Sequence, residues 1–152
     1  MVTVHGDGDS NGIELKTESS PAKVAIVRRA IESFAHSCGF DEVGRNELGL
    51  VINEALANVI RHAYQGAADK PIIVKAECRA GRLTISIRDW GNGVDPTRLP
   101  KRRPDPLCPG GLGMLCLREM MDDVRFEPQA DGMLLTMSRH RLRAKGNARD
   151  VG

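Results

Sequence analysis

Three groups of residues have types and spacings that could hold a charged ligand. Glu54, Asn58 and His62 recur at every fourth position, so on an α-helix they stand one turn apart and project from nearly the same side. Asn in a helix interior costs roughly half a kcal/mol against Ala, because its amide competes for backbone hydrogen bonds. This stretch carries two, Asn53 and Asn58. The stripe reads either as an ordinary solvated face or as one turned to a ligand. The second group is Asp89-Trp90-Gly91-Asn92-Gly93, an acidic residue ending a strand before a sharp turn through two glycines. Glycine lets backbone approach a ligand closely, and a carboxylate at the strand end can accept from an exocyclic amino group. The third is Gly110-Gly111-Leu112-Gly113, opening a helix. Free N–H groups and the positive end of the helix dipole there suit a phosphate. Each glycine cluster alone is equally a plain turn.

Elements able to position these groups are legible around them. In Glu47 to Tyr64, the residues Leu48, Val51, Ile52, Ala55, Leu56, Val59, Ile60 and Ala63 follow i, i+3, i+4, i+7 spacing and predict a helix with one broad buried face. Asp41 is its expected N-cap and Gly66 its C′ residue. A first helix is expected after Ser19, Ser20 and Pro21, with Val24, Val27, Ala30, Ile31, Phe34 and Ala35 inward and Gly39 closing it. Ile13 to Thr17 predicts a first strand. Pro71 to Arg79 and Arg82 to Asp89, joined by Ala80-Gly81, predict a β-hairpin. In its second strand Leu83, Ile85 and Ile87 share a face, and alternation puts Asp89 on that face too. Residues 94–110 hold five prolines and four cations, which predicts a long loop. A helix over Leu112 to Met121 and a hairpin of Val124 to Glu127 with Met133 to Ser138 complete the order β, α, α, β, β, loop, α, β, β. That order predicts an α+β two-layer sandwich, a mostly antiparallel mixed sheet covered on one face by helices.

Composition bounds the partners. A chain of 152 residues is most simply one domain, and with aromatics at 3% its core must be aliphatic. A net charge of +2 and the lack of interleaved aromatics argue against a nucleic-acid surface. No apolar run of membrane-spanning length exists, and the polar, Gly/Asp-rich start does not resemble a secretory signal. Cys38, Cys78, Cys108 and Cys116 show no zinc spacing and predict reduced thiols in a cytoplasmic protein. Residues 1–11 are expected to be a loose tail, 12–140 the domain and 141–152 a basic tail. Neither GxxxxGK[ST] nor GxGxxG occurs, which removes P-loop and Rossmann sites.

Taken in order, the three groups resemble the N, G1 and G2 boxes of the gyrase, histidine kinase and MutL type ATPases, the GHKL superfamily with the Bergerat fold. NEALANVIRHAY, RDWGNGVDP and GGLGMLCLREMMDDVRF further resemble the bacterial anti-sigma factor serine kinases, over roughly residues 13–139. The resemblance implies an ATP-dependent kinase that binds a sigma factor and phosphorylates an anti-anti-sigma protein. It also implies a homodimer. Asn58 would ligate Mg²⁺ and Glu54 would act as general base, with His62 on the same helix near the nucleotide. Asp89 would read adenine, Gly91 and Gly93 would make room for it, and Gly110, Gly111, Leu112 and Gly113 would wrap the phosphates of ATP under the basic lid. The alternative is a non-catalytic ATP/ADP-binding interaction module. Two departures from the family pattern stand out. Leu107, Cys108 and Pro109 replace an Arg before the second glycine loop, leaving Arg102 or Arg103 to substitute. Gly132-Met133 replaces Gly-Thr in the last hairpin, leaving Thr136 as the candidate adenine-side hydroxyl.

Overall fold

The computed structural model describes residues 2–7, 10–92 and 117–143. Six strands form one sheet: β1 (Val2–Asp7), β2 (Ser10–Glu18), β3 (Pro71–Arg79), β4 (Arg82–Asp89), β5 (Asp123–Pro128) and β6 (Met133–His140). Their order is β1-β2-β3-β4-β6-β5, and every pairing is antiparallel. The sheet is therefore antiparallel throughout the described residues, where a mixed one was expected. Helices α1 (Pro21–Ser37) and α2 (Glu42–Asn58) pack together and cover one face. The predicted two-layer α+β architecture stands.

Alternation builds the covered face. Ile13 and Leu15, Ile72, Val74 and Ala76, Leu83, Ile85 and Ile87, and Leu135 and Met137 all turn inward. They meet Val27, Ile31, Phe34 and Ala35 from α1 and Leu48, Val51, Ile52, Ala55 and Leu56 from α2. Burying one such aliphatic side chain contributes about 1.5–3 kcal/mol, so the helices are held by this layer rather than by intrinsic propensity. The β3–β4 turn uses Ala80 and Gly81, both at positive φ, as a right-twisted two-residue hairpin requires.

Helix ends follow the sequence in one case and depart from it in another. The Asp41 carboxylate accepts from the Gly44 N–H at 2.7 Å and caps α2 as expected. Ser20 precedes Pro21 at the start of α1 but makes no side-chain cap bond. Ser19 has a different task, since its buried hydroxyl donates to the Ala67 carbonyl and accepts from the Lys70 N–H, fastening α1 to the segment before β3.

Two larger corrections concern the ends of elements. Residues 2–7, expected to belong to a loose tail, pair with β2 from Val2↔Leu15 to Asp7↔Ser10, and β2 itself runs past both ends of the predicted strand. The long helix does not continue as α-helix to Tyr64. It ends at Asn58 and passes into a π-helical segment, Val59–Ala63, whose wider turn leaves Ile60 only half-buried. Gly66 then closes it at positive φ, its N–H donating to the Ile60 carbonyl at 2.7 Å.

At the opposite end of the sheet, the buried Arg139 of β6 donates to the Glu47 carboxylate on α2 and to the Met120 carbonyl. That clasp joins sheet, helix and the chain entering β5. Cys38 and Cys78 are free thiols on neighbouring elements, and burial together with the Cys78 thiol pushes Cys38 up to about 12.

Candidate functional site

Asp89 is the last residue of β4, and strand alternation carries its side chain onto the covered face, where it is 3% exposed. Its neighbours across the sheet are Ile72 and Met133, both buried and apolar. Burial therefore raises the carboxyl above its ordinary value, while the Gly91 N–H, which donates to Oδ1 at 3.0 Å, and the nearby Arg88 act in the opposite direction. A carboxylate kept in an apolar site and held by the backbone N–H groups of Gly91 and Met133 retains acceptor capacity on its remaining lone pairs. It is well suited to read an N–H donor on a flat ligand.

The turn after Asp89 rests on the end of the π-helical segment. The Asn92 N–H donates to the Ala63 carbonyl at 3.1 Å. The Trp90 N–H donates to the Tyr64 hydroxyl at 2.8 Å, and that hydroxyl donates to the Pro71 carbonyl at 2.5 Å. A Cβ on Gly91 would lie 2.3 Å from the Ala63 carbonyl oxygen, so only glycine allows this approach. The predicted role of Gly91 was room for a ligand; its observed contact is with the protein's own backbone.

A second support comes from the β5–β6 turn. Gly132 sits at φ +102, and a Cβ there would fall 2.0 Å from the Asp89 carbonyl oxygen. Arg88 stacks over the Trp90 ring, 4.6 Å to the centroid, and donates to the Asp131 carbonyl at 2.8 Å and carboxylate at 3.0 Å. Residues 88–92 are thus held from below by the helix end and from the side by the last hairpin.

Glu54 and Asn58 lie on α2 half-buried, and Asn58 is its final α-helical residue, about one turn before Ala63. The carboxamide helix and the Asp89 turn therefore converge through Ala63 and Tyr64. His62 follows on the π-helical segment and is exposed. Four residues after Asn58, it lies close to one turn on, beyond the point where the α-helix gives way to the π-helical segment. Thr136 is also corrected. In β6 it pairs with Ser86 and alternates with the inward Leu135 and Met137, so it stands on the other face of the sheet from Asp89. The residue opposite Asp89 is Met133. Gly93, Gly110, Gly111, Leu112 and Gly113, with the basic loop and its Arg102 and Arg103, lie outside the described residues.

Tyr64 was missed as a site residue, although its place at the close of the helix was the signal available. Among the described residues no cluster of three His, Cys, Asp or Glu side chains could hold a metal ion. An oxygen-seeking cation that also takes phosphate oxygens needs no such cluster, and the half-exposed Asn58 carboxamide fits that role.

Comparison with known proteins agrees with this architecture. Residues 17–139 match the family of the histidine kinase-like ATPase domain. A protein called serine-protein kinase RsbW from Bacillus licheniformis is 27% identical over 84% of this chain and 84% of its own length. The protein of the same name from Bacillus subtilis is 25% identical over 84% of each chain, and that from Listeria innocua 24% identical over 99% of each. Among solved structures, the RsbU and RsbW domains of a Mycobacterium tuberculosis protein superpose with a TM-score of 0.59 at 16% identity, covering 85% of this chain and 31% of that one. A histidine kinase domain from a blue-light activated kinase of Erythrobacter litoralis gives 0.52 at 17% identity, covering 77% and 58%.

Proposed function

The chain belongs to the histidine kinase-like ATPase domain family, and from that premise we propose that it is an ATP-dependent protein serine kinase acting as an anti-sigma factor. It binds a sigma factor and phosphorylates a serine on an anti-anti-sigma partner. The observation that carries this reading is the convergence of the Asp89 turn and the Asn58 end of α2 on Ala63 and Tyr64. Such an arrangement supports a base-reading role for Asp89 and a metal-ligating role for Asn58 on one framework. The kinase name borne by relatives that match over most of their length supports the choice of reaction.

Each residue has a role that its surroundings favour. Asp89 accepts from the adenine N6 amino group in a site too apolar for water to compete well. Asn58 supplies its amide oxygen to Mg²⁺, which when bound neutralises charge on the transferring phosphate. Glu54, one turn before Asn58, takes the proton from the partner's serine hydroxyl as its oxygen attacks the γ-phosphorus; the bond to the β–γ bridging oxygen breaks and ADP leaves. By the family resemblance, Gly110, Gly111, Leu112 and Gly113 wrap the phosphates, Gly93 makes room for the base, and His62 flanks the nucleotide from the helix end. The protein works as a cytoplasmic homodimer without contacting nucleic acid or membrane. No helix among the described residues is long and apolar enough to span a bilayer.

The test is transfer of labelled γ-phosphate from Mg-ATP to a cognate anti-anti-sigma protein, with Glu54→Ala alongside. The variant is expected to bind ATP normally and to lose about 10²–10⁴-fold in transfer rate, the usual share of a general base. Wild-type protein that binds ATP but transfers nothing would refute the kinase assignment and leave a nucleotide-holding interaction module in its place.

A further inference from the structure

Tyr64 is 8% exposed, follows directly on the π-helical segment, and has no role in the phosphoryl transfer described above. Its hydroxyl is nevertheless fully engaged. It donates to the Pro71 carbonyl where β3 begins and accepts from the Trp90 N–H where β4 has ended, joining the two strand ends that flank Asp89. One residue earlier, the Ala63 carbonyl accepts from Asn92 and leaves no space for a Cβ on Gly91. Gly91 in turn supplies the N–H that fixes Oδ1 of Asp89. A connected path therefore runs from the last turn of the Glu54–Asn58 helix, through Tyr64 and Ala63, to the orientation of the Asp89 carboxylate.

We propose that Tyr64 is a positioning residue for the base site: with the Ala63 carbonyl, it registers the Asp89–Asn92 turn against α2 and so sets how sharply Asp89 separates adenine from guanine nucleotides. The inference rests on the ATP-binding reading given above. Its physical basis is that Asp89 can distinguish the N6 amino group of adenine from the O6 carbonyl of guanine only if its acceptor oxygen is held on line. Removing the Tyr64 hydroxyl takes a partner from the Trp90 N–H and from the Pro71 carbonyl together, in part-buried bonds, and frees the turn to drift from the strand end and exchange these partners for water.

The test compares Tyr64→Phe with wild type in ATP binding by calorimetry, GTP binding by competition, phosphoryl transfer at saturating ATP, and backbone amide exchange. ATP affinity is expected to fall roughly tenfold, on the scale of one buried hydrogen bond. GTP affinity and saturated transfer should stay as in wild type, so discrimination narrows by the same factor. The Trp90 amide should exchange faster while Ile85 and Ile87 do not. Gly91→Ala, which displaces the same turn from the other side, should reproduce the narrowed ratio even if Tyr64→Phe folds poorly. Parallel loss of ATP and GTP affinity, or an unchanged ratio in both variants, would overturn the inference while leaving ATP binding intact. A folded wild type that binds neither nucleotide would overturn both the function and this inference.

Discussion

Asp89 shows how a single carboxylate can be legible in a sequence and still hold something back. Alternation of Leu83, Ile85 and Ile87 already placed it on the inner face, and the structure keeps it there at 3% exposure. Alternation says nothing of what lies opposite. Ile72 and Met133 flank it with apolar side chains, and burial raises the carboxyl above its ordinary value of 3.8 against the opposing pull of Arg88 and the Gly91 and Met133 N–H groups. Because the folded value is the raised one, the protonated form is favoured by folding. Its contribution to stability is complete below the unfolded value and is lost as pH climbs through the window between the two. Asp89→Asn should flatten that part of the stability–pH curve in denaturant titrations, keep the fold, and weaken ATP binding about 10- to 100-fold, as befits a lost charged hydrogen bond. In wild type, ATP binding measured against pH should fail on the acid side with a midpoint above 3.8, since a protonated Asp89 loses an acceptor. A midpoint at or below that value would contradict the buried pocket. Thr136 was misplaced for a related reason: which face a β6 residue takes depends on its register with β4, and no local pattern fixes that register.

Elements were legible wherever a local rule governed them. The buried face of α2, its Asp41 cap, and the Ala80-Gly81 hairpin follow from spacing and turn chemistry that act over a few residues. The π-helical segment was hidden because over a single turn its apolar residues satisfy the α and π periods almost equally well. β1 was hidden because its strand character comes from pairing with β2, in a Gly/Asp-rich stretch that reads as coil. The β5–β6 turn lies between these cases. Gly132 was visible in the turn, but not the approach of the Asp89 carbonyl that excludes a Cβ there. Gly132→Ala should therefore cost roughly 2–3 kcal/mol in chemical denaturation, since positive φ and a backbone clash coincide. A cost under about 0.5 kcal/mol would mean that the turn relaxes freely away from β4.

The sheet as a whole has two unlike borders. β5 carries Asp123, Arg125, Glu127 and Pro128, the charges and proline with which proteins discourage further strand addition. β1 begins with Val2, Thr3 and Val4, uncharged and well exposed, with the valines at 53% and 72%. An antiparallel copy of such a strand is its own complement under two-fold symmetry. Of the two sheet borders this one is the better fitted to pair in the proposed homodimer, so Val4→Lys should shift the protein toward monomer in sedimentation equilibrium while ATP binding persists. An unaltered mass at equal concentration would assign the contact to another surface. The π-helical segment also has a consequence at this scale: it serves as a shim. Five residues fill a length that a regular helix would cover with fewer, and the surplus brings Tyr64 into phase with the strand ends it ties together. Were the same residues from 59 to 63 wound as regular α-helix, the segment could pack as well, yet Tyr64 would arrive about 100° out of phase. The protein would still fold around its aliphatic layer, with the two halves of its site no longer addressing the same molecule.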